Sequence, residues 1–130
     1  MSRIVLDTSA LLAILHGEPG AEIFAQKFHL LENAAMSAVN VAEAYGKLVG
    51  RGIDPEDAWE AVIAPIPEIL DFDAAQAKLA GSLLPQTRSL GLSLGDRACL
   101  ALGMALKAPI YTADRAWKDL RIKVSIHVIR

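Results

Sequence analysis

Cysteine is almost absent from this sequence, and long apolar runs are missing altogether. Cys99 is the only cysteine in 130 residues, which excludes an intrachain disulfide and a zinc site built from several cysteines. No apolar run reaches the roughly 18 residues that a membrane-spanning helix needs. The first residues also lack the basic and apolar segments of a secretory signal. We therefore expect a cytoplasmic protein without a membrane partner.

Linkers, internal repeats and low-complexity segments are missing too, so we expect a single domain over residues 1–130. Hydrophobic residues make up 53% of the chain, which is enough for a sizeable core. The net charge of −2 conceals an asymmetry, because residues 1–75 carry 12 acids and 4 bases whereas residues 76–130 carry 3 acids and 9 bases. A basic half can face a polyanion, or it can form ordinary solvated helix faces.

Short apolar runs alternate with longer helical segments along the chain. Residues 3–6 form a compact apolar run that ends at Asp7 and is typical of a buried strand. The patterns predict helices at 10–15, 20–31, 38–50, 55–64, 73–90, 94–107 and from Asp114, and strands at 34–36, 69–70, 110–111 and 126–129. Pro85 is expected to kink or split the helix over 73–90. This alternation indicates an α/β sandwich around a mainly parallel sheet, whose ligands bind at the carboxyl ends of the strands.

Four acids occupy positions that are unusual for an acid. Asp7 and Asp114 follow two predicted strands, and Asp96 lies near the start of a helix that is apolar almost all round. Glu43 lies inside a helix, beside an apolar stripe. Each acid has a structural alternative, because the aspartates can cap helices and Glu43 can point to solvent beside Lys47. Taken one at a time, these positions leave both interpretations open.

Taken together, the four acids are more informative. Strand ends and helix starts meet at one edge of a parallel α/β sheet, so the four carboxylates are expected to lie close to one another. Carboxylates at close range repel each other, and a cation has to offset that repulsion. Mg²⁺ and Mn²⁺ prefer oxygen ligands, and such sites suit phosphoryl chemistry. The residues therefore predict a divalent metal site formed by Asp7, Glu43, Asp96 and Asp114.

Four segments resemble the motifs of the PIN domain, and in particular those of VapC-type toxins from bacterial toxin–antitoxin pairs. They are residues 4–10 (IVLDTSA), 37–43 (SAVNVAE), 93–101 (SLGDRACLA) and 111–117 (YTADRAW). The resemblance covers essentially the whole chain, and it implies a PIN-like three-layer sandwich with a central, mainly parallel five-stranded sheet flanked by helices. It also implies a Mg²⁺- or Mn²⁺-dependent endoribonuclease that cleaves structured RNA, such as tRNA or ribosomal RNA, by metal-activated water.

The resemblance also assigns residues and partners. Asp7, Glu43, Asp96 and Asp114 match the catalytic and metal-binding acids of the family, and Thr112 and Ser9 match supporting polar positions. The implied protein partners are a small cognate antitoxin and a second copy of the chain in a homodimer. Basic residues that flank the two later acids are candidates to hold RNA phosphates, although Arg97 can instead pair with a neighbouring acid. These candidates are Arg88, Arg97, Arg115 and Lys118.

Two other functions remain open at this point. A metal-dependent phosphatase of the haloacid dehalogenase type also has an acid after its first strand, but that chemistry needs a second acid where this chain has Ser9. A non-catalytic α/β protein-binding module, such as a receiver, needs adjacent acids before the first-strand aspartate, and residues 3–6 contain none. Metal-dependent cleavage of RNA distinguishes the nuclease from both.

Overall fold

A computed structural model describes residues 2–130 of the protein. Its strands are β1 (Ile4–Leu6), β2 (Ala34–Ser37), β3 (Glu68–Leu70), β4 (Ile110–Thr112) and β5 (Ile126–Val128). Its α-helices are α1 (Thr8–His16), α2 (Glu22–Gln26), α3 (His29–Glu32), α4 (Ala38–Gly50), α5 (Pro55–Ile63), α6 (Ala74–Ser82), α7 (Leu84–Thr87) and α8 (Leu94–Leu106). Two 3₁₀ segments, Arg88–Leu90 and Arg115–Asp119, follow α7 and β4.

The five strands form one sheet in the order β3-β2-β1-β4-β5, and every neighbouring pair is parallel. The chain builds outwards from β1 to β3 and then returns to the other side of β1 with β4. This reversal places the switch point of the sheet between β1 and β4, where parallel α/β proteins bind ligands at the carboxyl ends of the strands. The predicted five-stranded α/β fold is confirmed, and its sheet is wholly parallel.

Side chains that alternate along the strands pack into two hydrophobic clusters, one on each face of the sheet. Ile4 and Leu6 belong to the first cluster, together with residues of α1, α2, α4 and α5. Val5 belongs to the second cluster, together with α8 and Trp117. Because helices cover both faces, β1 carries apolar residues at every position and not only at alternate ones. The result is a three-layer sandwich.

Helix α8 connects the core to the carboxyl edge of the sheet. Residues 98–102 on α8 are completely buried, as the all-round apolar pattern predicts. Because α8 leads into the start of β4, it runs antiparallel to the strands. Its first turn, which contains Gly95 and Asp96, therefore lies at the same edge as the ends of β1 and β4.

Two of the predicted helices are interrupted. The helix expected over 20–31 is divided into α2 and α3, because the backbone of Lys27 is not helical (φ −125°, ψ 62°). The helix expected over 73–90 is split into α6, α7 and a 3₁₀ segment, with Pro85 in the first turn of α7, where its missing N–H is tolerated. The helix expected from Asp114 is a 3₁₀ segment. Within residues 2–130, no helix is long and apolar enough to cross a membrane.

Candidate active site

Asp7 is the most deeply buried of the four candidate acids. It follows β1 at the carboxyl edge of the sheet, where its backbone N–H donates to the carbonyl oxygen of Tyr111 on β4. Its side chain is 2% exposed, and burial raises the pKa of the carboxyl from 3.8 to about 6. Asp7 occupies the N-cap position of α1, but its side chain makes no capping hydrogen bond there, and the backbone N–H of Ser9 is the smallest of the influences on its pKa. Capping of the next helix therefore does not explain this acid.

Two hydroxyl groups hold one oxygen of the Asp7 carboxylate. Ser9 Oγ and Thr112 Oγ1 donate to Asp7 Oδ2 at 2.6 Å and 2.9 Å. The same hydroxyls accept hydrogen bonds from the backbone N–H groups of Ala113 and Asp114, at 2.9 Å and 3.1 Å. Each hydroxyl has only one proton to donate, and both hydroxyls donate it to Asp7. This network links the start of α1 to the end of β4 and fixes the orientation of Asp7.

The second oxygen of Asp7 has no such partner. Oδ1 is buried, and it accepts no hydrogen bond from the residues that the structure describes. A buried carboxylate oxygen without a donor carries a desolvation cost of several kcal/mol when it is ionised. A cation bound at Oδ1 would offset both the missing hydrogen bond and the negative charge.

Glu43 is held by two donors on one of its carboxylate oxygens. Thr8 Oγ1 donates to Glu43 Oε1 at 2.9 Å, and Asn40 Nδ2 donates to the same atom at 3.1 Å. The residue is half-buried, so the alternative in which it points freely into solvent is wrong. Sequence reasoning missed both donors. The available signal was Asn40, an amide three residues before Glu43 on the same face of an otherwise largely apolar helix.

Asp96 and Asp114 combine a capping role with a place in the acid cluster. Asp96 forms a capping box with Ser93, in which its Oδ2 accepts from the Ser93 N–H at 2.9 Å and its own N–H donates to Ser93 Oγ at 3.2 Å. Asp114 Oδ1 accepts from the N–H of Ala116 at 3.0 Å and caps the 3₁₀ segment. The structural alternative for these two acids is therefore confirmed, and it is compatible with a second role because both side chains are half-buried.

The charges of the four acids act on one another. Burial raises the pKa of Asp96, and the charges of Glu43 and Asp114 raise it further against the lowering effect of the Ser93 hydrogen bonds. The charge of Asp96 in turn raises the pKa of Asp7. The buried Cys99 thiol has a pKa well above its ordinary value because of burial and, secondarily, the charges of Asp7, Asp96 and Glu43. Asp96 is thus the member that couples the other three.

No basic side chain balances this cluster within residues 2–130. The ion pairs found there join Arg3 to Glu68 and Arg130 to Glu18. The donor set, composed of carboxylates alone and including the free Oδ1 of Asp7, fits a hard divalent cation such as Mg²⁺. In the same residues, no three His, Cys, Asp or Glu side chains already form a group that could hold a metal ion. Ligation of one ion by several of these acids therefore goes through bridging water or requires side-chain rotation.

The four candidate RNA-contacting bases lie on two parts of the surface. Arg88 is exposed on the 3₁₀ segment Arg88–Leu90, which packs against the segment that carries the exposed Arg115 and Lys118. Arg97 lies on α8 next to Asp96 and is partly buried. Its Nε is buried and has no hydrogen-bond partner among the described residues, and no acid there pairs with it.

The fold and the site define a class: a parallel α/β protein with an acidic site at its switch point. The sequence profile of the PIN domain matches residues 4–123, which is most of the chain, so the protein belongs to the PIN domain family. PIN domains are a nuclease family whose members generally use divalent metal ions, and membership implies hydrolase activity. No curated protein matches the sequence.

Solved structures of VapBC and Fit proteins share this fold at low sequence identity, and VapBC is a family of toxin–antitoxin systems. The VapBC complex from Salmonella typhimurium, solved bound to DNA, contains a chain with a TM-score of 0.75 and 17% identity over 100% of both chains. VapBC2 from Rickettsia felis, bound to a DNA fragment from its promoter, contains a chain with a TM-score of 0.74 and 19% identity over 98% of both chains. A chain of FitAcB from Neisseria gonorrhoeae has a TM-score of 0.66 and 21% identity over 95% of both chains. At these identities the similarity establishes the fold.

Proposed function

We propose that this protein is a divalent-metal-dependent endoribonuclease that acts as the toxin of a toxin–antitoxin pair. The observation that carries the proposal is the buried Asp7 carboxylate, whose Oδ1 has no donor among the described residues. The charge of Asp96 acts on this carboxylate, and the charges of Glu43 and Asp114 act on Asp96. Such a site needs a cation, and a divalent cation held by carboxylates suits phosphodiester hydrolysis. Membership of the PIN family and the toxin–antitoxin neighbours support the same function.

The four acids would share the metal between them. Asp7 and Asp96 would anchor the ion, and Glu43 and Asp114 would complete its ligand set directly or through water. When bound, Mg²⁺ or Mn²⁺ supplies charge neutralisation and activates water for attack on the phosphorus of the substrate. Ser9 and Thr112 contribute orientation, because they hold Asp7 Oδ2 and leave Oδ1 free for the cation.

Cleavage of cellular RNA by the purified protein tests this proposal. We expect cleavage of a structured RNA with Mg²⁺ or Mn²⁺ and none after chelation with EDTA. Asp7→Asn should lower the rate at least about 100-fold, because changes even in residues that only support a metal ligand cost 10- to 100-fold. Circular dichroism of the variant confirms that it folds. Unchanged RNA cleavage by Asp7→Asn, or metal-dependent hydrolysis of a phosphatase substrate with intact RNA, would contradict the proposal.

RNA binding by the basic residues is a separate part of the proposal. Arg88, Arg97, Arg115 and Lys118 would contact phosphates, so affinity for a short RNA should fall as salt concentration rises. The double variant Arg115→Ala/Lys118→Ala should weaken binding and reduce the dependence of log K on log salt by about 1 to 2. Lys27→Ala/Lys47→Ala, which removes two bases from the acidic half of the chain, is the matched control. An equal salt slope in all three proteins would rule out these contacts.

An antitoxin is the proposed protein partner, and the surface offers it two apolar grooves with acidic rims. One, of about 450 Å³, is lined by Ile14, Phe24 and Leu31, with Glu18 and Glu22 at its rim. The other, of about 320 Å³, is lined by Tyr45 and Trp59, with Glu56 and Glu60. A partner segment that carries both apolar and basic side chains would complement these grooves.

Co-expression tests the pairing. The product of the gene adjacent to this one should co-purify with the protein, relieve its toxicity and inhibit RNA cleavage, and Trp59→Ala should weaken the complex. An adjacent gene product that neither binds nor inhibits would contradict the toxin–antitoxin assignment and leave the nuclease proposal in place. The predicted homodimer is tested separately, by light scattering of the purified protein alone.

A further inference from the structure

Gly95, in the first turn of α8, lies directly against the Glu43 carboxylate. A methyl group added at Gly95 would overlap Glu43, and its three nearest atoms would be the Cδ, Oε1 and Oε2 of that side chain. Gly95 is buried and helical, and its φ is not positive, so its backbone would accept any L-amino acid. The position therefore excludes a side chain because the Glu43 carboxylate occupies the space, and not for reasons of backbone conformation.

Asn40 connects this glycine to the carboxylate. Its side chain is completely buried, and its Nδ2 donates both to Glu43 Oε1 at 3.1 Å and to the carbonyl oxygen of Gly95 at 2.9 Å. Both partners are acceptors, so the orientation of the amide is fixed by its two bonds. One side chain thus ties Glu43 on α4 to the turn of α8 that carries Asp96. This connection holds the Glu43 side chain against the first turn of α8.

Thr8 adds a third element to the contact. Its hydroxyl, at the start of α1, donates to Glu43 Oε1 at 2.9 Å. Oε1 therefore receives two donors, whereas Oε2 accepts no hydrogen bond within residues 2–130. This asymmetry matches that of Asp7, in which Oδ2 is held and Oδ1 is free.

We propose that Gly95, Asn40 and Thr8 form a binding pocket, here called the seat, that positions the Glu43 carboxylate beside Asp96. The essential feature of the seat is that Gly95 has no side chain, which leaves room for the carboxylate. The three are positioning residues, since they act only through Glu43. The role of the seat rests on the proposed function, because the seat would present Glu43 Oε2 to a divalent cation before the ion binds. The seat itself is a property of the folded chain without metal.

Gly95→Ala tests the seat, with Gly81→Ala as the matched control. Gly81 also lies in a helix, and a methyl group there would meet no atom within 4 Å. Both variants should fold, because the atoms that Gly95→Ala displaces are the end of one flexible side chain. Gly95→Ala should weaken Mn²⁺ binding, measured by calorimetry, about tenfold or more, and lower kcat more than it changes KM. Gly81→Ala should leave both quantities unchanged.

A cycle with Glu43→Ala shows whether Gly95 acts through Glu43. Gly95→Ala in the Glu43→Ala background should have no further effect on Mn²⁺ affinity or kcat. Without metal, it should raise Tm more in that background than in the wild type, because only the wild type has a seated carboxylate to displace. Thr8→Val should weaken Mn²⁺ binding, and Thr8→Ser, which keeps the hydroxyl, should restore it.

The outcomes separate the seat from the proposed function. The seat would be overturned if Gly95→Ala shifted the metal-free Tm equally in the wild-type and Glu43→Ala backgrounds. It would also be overturned if Gly95→Ala kept the Mn²⁺ affinity of the wild type while Glu43→Ala lost it. A wild-type protein that neither binds Mn²⁺ nor cleaves RNA would overturn the proposed function, and unequal Tm shifts would in that case still support the seat.

Discussion

The two sides of the acid cluster are stabilised in different ways. On the sheet side, Asp7 is buried, carries a raised pKa and makes no side-chain capping hydrogen bond to α1. On the helix side, Asp96 is part of a complete capping box and Glu43 lies in a seat of donors. Asp7 therefore lowers the stability of the metal-free fold at neutral pH. The pKa of Asp96 is raised as well, but its hydrogen bonds with Ser93 offset part of the cost of its burial. A buried acid that has no structural role such as helix capping is a stronger indication of a functional site than an acid that caps a helix.

The largest effect that tests this comparison is the pH dependence of stability. A tenfold change in an equilibrium constant corresponds to about 1.4 kcal/mol, so a pKa of about 6 in place of 3.8 costs the folded protein about 3 kcal/mol at neutral pH. Because the folded state binds this proton more tightly than the unfolded state, the contribution of Asp7 to stability should be most favourable below pH 4. It should fall as the pH rises to about 6 and then level off.

Urea unfolding in EDTA at several pH values measures this effect. Asp7→Asn lacks the titrating group, so it should be more stable than the wild type at pH 7, with most of the difference gone at pH 4. Added Mn²⁺ should stabilise the wild type and not the variant. Parallel stability profiles for the two proteins across this pH range would show that Asp7 is not a strained carboxylate.

Thr112→Val examines the hydroxyl network on the sheet side. Valine preserves the volume of this fully buried residue but removes the donor to Asp7 and the acceptor for the Asp114 N–H. We expect RNA cleavage to fall about 10- to 100-fold, as for other residues that orient a metal ligand. The free energy of unfolding should fall by about 1 to 3 kcal/mol, because a part-buried N–H loses its partner. Thr112→Ser keeps the hydroxyl and should keep most of the activity.

Ser93→Ala should have the smallest effect, and it examines the capping box on the helix side. The variant removes the hydroxyl that accepts from the Asp96 N–H, while the Ser93 backbone N–H can still hold the Asp96 carboxylate. Loss of an N-cap side chain costs about 1 kcal/mol. Thermal unfolding should show this loss, and cleavage should change less than tenfold. A loss of activity larger than that of Thr112→Val would mean that Ser93 also orients the metal ligand.

Much of the fold was predictable because local patterns and tertiary packing agree. The apolar run before Asp7, the all-round apolar helix α8 and the Ser93–Asp96 capping motif all indicated the structures that form. The prediction of one continuous helix over 20–31 was wrong at Lys27, where the chain turns between α2 and α3. No proline or glycine marks that turn, so the sequence carried no local signal for it.

The sequence by itself determined the alternation of strands and helices, the positions of three acids at strand ends and a helix start and of Glu43 within a helix, and the family motifs. Only the tertiary structure decided how Asp7 and Glu43 are held, because Thr112 lies 105 residues from Asp7 and Gly95 lies 55 from Asn40. Local spacing constrains contacts within one helix or strand. Contacts between distant elements depend on the order of strands in the sheet, which brings β1 and β4 together and sets α8 against α4.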